Sequence, residues 1–359
     1  MFGKNSCHNL YIRIRCRKIG KFRSVGGGGT HPYKSFIMIR FGHIFEDIIS
    51  VENLLAAWQE FIKVKRTKID VQEFAFHLMD NIFLLHRDLA SLIYRHSGYE
   101  AFKIADPKPR DIHKARVRDR LLHHAIYRVL YSFFDRTFIA DSFSCRRRKG
   151  THKSRERFQE FALKASKNNT RTCWILKCDI RKFFATIDNL ILKEILSGYI
   201  PDQKILWLLN NVIDSFSTPG KANIGLPLGN LTSQLLVNIY MNEFDQYMKH
   251  RVKARYYIRY ADDFVVLSGD KMYLQKLIPV TRAFLSDELK LELHPDKLFI
   301  KSISSGVDFL GWVQFSEHSI LRGVTRDRMF KKISENPSPE TIASYRGLLA
   351  HGNAQKLER

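Results

Sequence analysis

The sequence predicts an α+β chain, one large fold carrying subdomains. Three observations predict it. Apolar residues recur at three- and four-residue spacing in several long stretches. Short apolar, strand-like runs fall between those stretches. A chain of 359 residues, 45% hydrophobic and 12% aromatic, exceeds one average domain and can build a sizeable core.

Taken in order, residues 1–45 carry nine Lys or Arg and no acid. A run from Gly26 to Gly29 inside them is entropically costly to order and reads as a linker. The segment suits a basic nucleic-acid-binding arm; it equally suits a flexible extension, or residues translated ahead of a start near Met38. It holds no long apolar run, so a secretory signal is not expected. From Ser50 the pattern turns globular, and residues 51–58 and 71–94 predict two helices. Phe102, Ile104 and Ile112 flank Asp106-Pro107-Lys108-Pro109-Arg110. Two prolines in three positions break any helix, so a strand, a tight turn and a strand are predicted. Residues 117–134 and 187–196 return to helical spacing, and 255–260 and 264–267 read as strands.

Lys+Arg 59 against Asp+Glu 36 gives a formal net charge of +23. In a folded protein that points toward a polyanion, nucleic acid first. The apolar fraction excludes a wholly disordered basic tail. No apolar run reaches the roughly 18–20 residues of a membrane helix, so no membrane insertion is expected. Cys7, Cys16, Cys145, Cys173 and Cys178 are odd in number and form no C-x-x-C pair. A disulfide framework or zinc ribbon is therefore not expected, and a reducing cytoplasm fits. Between residues 108 and 157, 15 Lys/Arg stand against five acids, interleaved with Tyr127, Tyr131, Phe133, Phe134, Phe138 and Phe143. That mixture suits a groove tracking a nucleic-acid backbone, or merely charges that solvate a helix face.

Carboxylates carry the chemical signal. Trp174-Ile175-Leu176-Lys177-Cys178 is a short apolar run ending in Asp179, which a buried strand would deliver to the rim of a sheet. Ala261-Asp262-Asp263 lies between two strand-like segments, where Asp also serves as an ordinary turn residue. Sheet-borne acids brought together form an oxygen-rich site of the kind hard Mg²⁺ prefers. Two such ions about 3.5–4 Å apart can activate an attacking hydroxyl and stabilise a leaving oxygen. Basic groove, aromatics and acids together suggest phosphodiester chemistry, without deciding whether the bond is made or broken.

Tyr260-Ala261-Asp262-Asp263 resembles the Tyr-x-Asp-Asp box of reverse transcriptases, and Cys178-Asp179-Ile180-Arg181-Lys182-Phe183-Phe184 resembles their first carboxylate motif. Ile224-Gly225-Leu226-Pro227-Leu228-Gly229-Asn230-Leu231-Thr232-Ser233-Gln234 resembles the motif between them, in the form typical of diversity-generating retroelements. Asp308-Phe309-Leu310-Gly311-Trp312 resembles the primer-grip hairpin. The motifs occur in the family's order, and the resemblance covers roughly residues 50–352.

The resemblance implies a right-hand polymerase. An antiparallel palm sheet would be backed by helices, including one over 231–247 with Leu235, Ile239 and Phe244 inward. Fingers, with the first palm elements, are expected over 46–170, palm over 171–317 and a short helical thumb over 318–359, after the basic extension 1–45. The resemblance also implies that Asp179, Asp262 and Asp263, with the Ile180 backbone, bind two Mg²⁺ ions, Mn²⁺ being a substitute. Lys108 and Arg110 would grip the incoming triphosphate, and Phe184 would clash with a ribose 2′-hydroxyl. Leu228, Gly229 and Gln234 would line the nascent pair, Phe309, Leu310 and Gly311 would hold the primer, and Lys297 would protonate departing pyrophosphate. Most reverse transcriptases have Gln where Leu228 stands. The retroelement enzymes carry a branched aliphatic there and copy template adenines carelessly. Core packing for Phe184 and a solvated strand end for Lys297 are the plain alternatives.

The activity so implied is RNA-dependent DNA polymerisation in the cytoplasm, with template RNA, the cDNA/RNA hybrid and dNTPs as partners. A small basic helical accessory protein would join them. The short stretch after Gly311 predicts no RNase H, endonuclease or maturase region. Val324-Thr325-Arg326 departs from the retron Val-Thr-Gly signature. A retron or group II intron-like reverse transcriptase, an RNA-dependent RNA polymerase and a catalytically idle RNA-binding polymerase fold are the alternatives.

Overall fold

Residues 40–105, 109–350 and 352 are described by the structure, a computed structural model. The basic segment expected over 1–45 lies outside the described residues except for 40–45, and Lys108 lies outside them too. Among the described residues, helices α1 (Phe45–Ile49), α2 (Val51–Phe61), α3 (Ile69–Phe76) and α4 (Leu78–Ala90) come first. Strands β1 (Tyr99–Ile104) and β2 (Arg110–Ala115) follow, then α5 (Val117–Thr137) and α6 (Thr151–Ala165). Next are β3 (Trp174–Asp179), α7 (Phe183–Thr186), α8 (Asn189–Tyr199), α9 (Gln203–Asp214) and α10 (Leu231–Gln246). The chain continues with β4 (Tyr257–Tyr260), β5 (Asp263–Ser268), α11 (Lys271–Leu289), β6 (Phe299–Ser302), β7 (Val307–Phe309), β8 (Trp312–Gln314) and β9 (Ser319–Leu321). The last described elements are α12 (Gly323–Glu335) and α13 (Pro339–Leu349).

Local chemistry sets several of these boundaries. The Asp188, Asp202 and Asp270 carboxylates accept from the first free amides of α8, α9 and α11, as N-cap acids do. Proline cannot continue a helix through 107–109, and β1 and β2 pair there in antiparallel register from Tyr99↔Ala115 to Ile104↔Arg110. The single helix expected over 71–94 is instead two, broken at His77 (φ −113°, ψ 38°) and finished at Ala90. Apolar periodicity runs unbroken across that break, so spacing alone does not register it.

The central sheet has the order β4-β5-β3-β6, and all its pairs are antiparallel. Strand alternation gives it two faces. Ile175, Ile258, Val265 and Leu267 pack with Phe158 and Phe161 of α6 and with Val307 and Phe309 of a separate three-stranded sheet, β7-β8-β9. The opposite face packs on helices, where Phe264 meets Phe244 of α10 edge-on at 5.1 Å. Helix α10 is buried nearly all round, including Leu235, Ile239 and Phe244, as expected.

The aromatic and basic stretch 108–157 is not a stacking groove. Tyr131, Phe133, Phe134, Phe138 and Phe143 are buried core, while Arg146 pairs with Asp135 and Arg157 with Asp141, each at 2.7 Å. Aromatic rings spaced along a helix gain more by leaving water than by waiting for bases. Among the described residues no helix is long and apolar enough to cross a membrane.

Helix α5 also carries a pH liability. Burial, then the Lys65 and Arg120 charges, holds His124 down at about 4, against its ordinary 6.5. Its ring meets Phe61 edge-on at 5.5 Å. Between those two values the unfolded chain binds a proton that the folded chain does not, so stability falls as pH falls through that window. From pH 7 to pH 5 the urea unfolding midpoint is expected to drop by the equivalent of about 1–2 kcal/mol from this ring, allowing for its partial exposure. His124→Phe should flatten part of that slope; an unchanged slope refutes the assignment.

Candidate active site

Strand register brings the acids together. Asp179 closes β3 and pairs with Asp263, the first residue of β5, and Asp263 pairs in turn with Tyr260 at the end of β4. Only Ala261 and Asp262 remain to make the turn, with Ala261 in the left-handed region at φ +56°. The Ile180 amide donates to the Asp262 carbonyl at 3.2 Å. Three acids distant along the chain thus meet at one sheet end, and Asp263 belongs to a strand rather than to the turn tip.

Their electrostatics follow from burial first and from neighbouring charges second. Burial, then the Asp179 charge, raises the Asp262 carboxyl above its ordinary range. Burial pushes the Asp263 carboxyl up to about 7, with Lys177 opposing. The Lys297 ammonium lies on both oxygens of Asp179, at 2.9 and 3.0 Å, and Lys177 lies 3.2 Å from Asp263 Oδ2. Asp263 Oδ1 is buried with no hydrogen-bond partner.

Arg110, exposed at the start of β2, is near enough for its charge to act on Asp262. The His113 amide of β2 donates to the Leu228 carbonyl at 3.0 Å, and Asn230 Nδ2 donates to the His113 carbonyl at 2.9 Å. That clasp pins the 226–230 loop to the β1–β2 hairpin. Gly229 sits at φ +107°, where a Cβ would stand 2.9 Å from Ile112, so the loop requires glycine on both counts. Phe184 is half-buried, and its carbonyl accepts from the Leu226 amide at 2.8 Å. Gln234 lies in the first turn of α10. Phe309 is buried and stacks on Phe158, while Leu310 (φ +53°) and Gly311 (φ +84°) form the two-residue turn between β7 and β8.

The profile of the reverse transcriptase (RNA-dependent DNA polymerase) family matches residues 105–313, more than half of the chain. The chain belongs to the reverse transcriptase family. Protein YkfC of Escherichia coli (strain K12) is 26% identical over 258 residues, covering 62% of this reverse transcriptase chain and 65% of YkfC. The group II intron-encoded protein LtrA of Lactococcus lactis subsp. cremoris is 23% identical over 261 residues, covering 54% of this chain and 42% of LtrA. The chain thus spans less than two thirds of these curated relatives. An apo telomerase structure from Candida tropicalis aligns with 68% of this chain and 60% of its own, at 14% identity and a TM-score of 0.48. The α+β architecture is that of the right-hand polymerases, to which the family belongs.

Reverse transcriptase chemistry depends on divalent metal. Among the described residues no group of three His, Cys, Asp or Glu that could hold an ion is found. Like charges repel, and Asp179 and Asp263 each take a lysine counter-charge instead. The donor chemistry nevertheless fits. The set is all oxygen, it is buried enough to raise two carboxyls, and one buried oxygen has no partner.

Sequence reasoning missed a second layer beneath the reverse transcriptase motif. Arg259 and Asp245 are both 0% exposed and paired at 2.7 Å. Arg259 also donates to Asn238 Oδ1, Ser142 Oγ and the Ala261 carbonyl, the last at 3.0 Å, so the ion pair braces the turn that carries Asp262. Tyr257 adds a hydroxyl donor to Asp245 at 2.6 Å. The one signal available was an arginine inside an otherwise apolar-aromatic strand.

Proposed function

We propose that the chain is an RNA-dependent DNA polymerase, extending a DNA primer on template RNA from dNTPs. The observation that carries this is the Asp179↔Asp263 register with Asp262 in the adjoining turn. Two Mg²⁺ ions, for which Mn²⁺ substitutes, would be held by Asp179, Asp262, Asp263 and the Ile180 carbonyl, activating the primer 3′ hydroxyl and stabilising the leaving oxygen. The chain's own groups do the rest. Lys108 and Arg110 bind the triphosphate, Arg as a fork and Lys as a compact charge. Phe184 excludes a 2′-hydroxyl, and the Leu228-Gly229 backbone with Gln234 bounds the nascent pair. Phe309 to Gly311 hold the primer end, and Lys297 Nζ gives its proton to pyrophosphate. Fingers over 46–170, palm over 171–317 and thumb over 318–359 are the corresponding assignment. Primer extension on poly(rA)/oligo(dT) is expected with dNTPs and not with rNTPs. No extension would support the idle-fold alternative, and rNTP preference an RNA polymerase.

Within this reading the subtype is a diversity-generating retroelement enzyme, cytoplasmic and joined by a small basic helical accessory protein, which copies a template-repeat RNA with errors at adenines. Leu228 and the Gly229-to-Gln234 signature support it: a leucine at that position offers no hydrogen bond to discipline the nascent pair. Leu228→Gln is expected to lower misincorporation at template adenine severalfold in a sequenced-product assay, and unchanged errors refute the idea. The group II intron-like reading is the second, favoured by the likeness to LtrA.

A further inference from the structure

Lys177 is the one charged residue in the β3 run Trp174–Asp179 ahead of its terminal acid, and its side chain is 12% exposed. It pairs with Val265 of β5 and Phe299 of β6, so it sits mid-sheet on the face shared by Asp179 and Asp263. An ammonium there needs partners. It has two: Asp263 Oδ2 at 3.2 Å and the Asp308 carbonyl at 2.8 Å.

The second partner belongs to a different sheet. β7 is an edge strand, and in a two-residue hairpin closed at Phe309↔Trp312 the Asp308 carbonyl points off that edge. Lys177 therefore caps an edge acceptor that β8 cannot reach. Arg322 holds the same hairpin as well: its Nη1 donates to Asp308 Oδ2 at 2.8 Å, and its amide donates to the Gly311 carbonyl at 3.1 Å. The two sheets also share apolar packing through Val307 and Phe309. Apolar packing is non-directional and tolerates sliding; the ammonium-to-carbonyl bond supplies a direction and a distance.

We propose that Lys177 is a positioning residue, tying the Asp308–Gly311 hairpin to the catalytic acids so that a primer end held by one is set against the other. Its consequence for catalysis rests on the polymerase reading above, because reacting atoms must be aligned within fractions of an ångström. A mere counter-charge to Asp263 would leave the hairpin indifferent to Lys177; a tether makes the hairpin depend on it.

Lys177→Met keeps the stem and removes both bonds. Hydrogen–deuterium exchange of the folded chain should show faster exchange across residues 307–314, by about tenfold, and unchanged exchange in α8 and α9. In steady-state extension, KM for primer–template should rise by about tenfold while KM for dNTP stays within about twofold. Lys177→Arg, which retains the charge and donors, should restore much of the hairpin protection. Lys177→Gln, polar but too short to span both partners, carries the same readouts should the methionine variant not fold. Hairpin exchange equal to wild type in Lys177→Met or Lys177→Gln overturns the proposal, even if extension is lost. An inactive wild-type chain would instead fail the polymerase reading, leaving the exchange result to decide the tether.

Discussion

Asp262→Asn is expected to cut primer extension by at least about a thousandfold while leaving fold and RNA binding intact. The isosteric amide keeps the shape of the Ala261-Asp262 turn but removes an anionic oxygen donor. Burial and the Asp179 charge already make ionisation of this carboxyl unfavourable. The neutral variant should therefore melt at the same temperature as wild type or slightly above it. Single-turnover extension, a thermal melt and an RNA filter-binding assay separate these effects. Full extension by Asp262→Asn would remove the acid cluster from the chemistry, and a collapsed melt would make the variant uninformative about it. In that event Asp179→Asn, at the strand end facing Asp263, provides the second reading of the same site.

Arg259→Met should have the largest effect on stability, about 3–5 kcal/mol, because it leaves the Asp245 carboxylate charged and without its ion partner at 0% exposure. The loss is the penalty of an uncompensated buried charge rather than the worth of the pair. Adding Asp245→Asn should therefore recover about 1–2 kcal/mol by removing that charge. Urea unfolding of both variants checks this, and a midpoint within about 0.5 kcal/mol of wild type for Arg259→Met would refute the bracing role. Extension by Arg259→Met should also fall, since the guanidinium donates to the Ala261 carbonyl in a left-handed conformation that alanine adopts only at a cost of about 1–2 kcal/mol.

Much of the site was legible because its chemistry is local. Asp179 terminates an apolar run, Asp262-Asp263 follows a strand, and the paired prolines around Lys108 demand a turn; each is a short-range constraint of backbone geometry. Long helices with steady spacing, such as α5 and α10, were legible for the same reason. The break at His77 was not, because the apolar spacing continues through it. The aromatic stretch 108–157 misled because composition does not say which face of a helix is covered; Tyr131, Phe133 and Phe134 went inward.

What the amino-acid order by itself determined is therefore the element types, the three acids and the family motifs, each legible from the few residues around it. Tertiary structure alone decided that Asp179 faces Asp263, that Arg259 finds Asp245 behind the sheet, and that Lys177 reaches across to Asp308. The first and last join strands far apart in sequence, and the second joins a helix to a strand 14 residues further on. Their partners are chosen by strand register and by the penalty of burying a charge alone, and neither leaves a mark in the residues nearby.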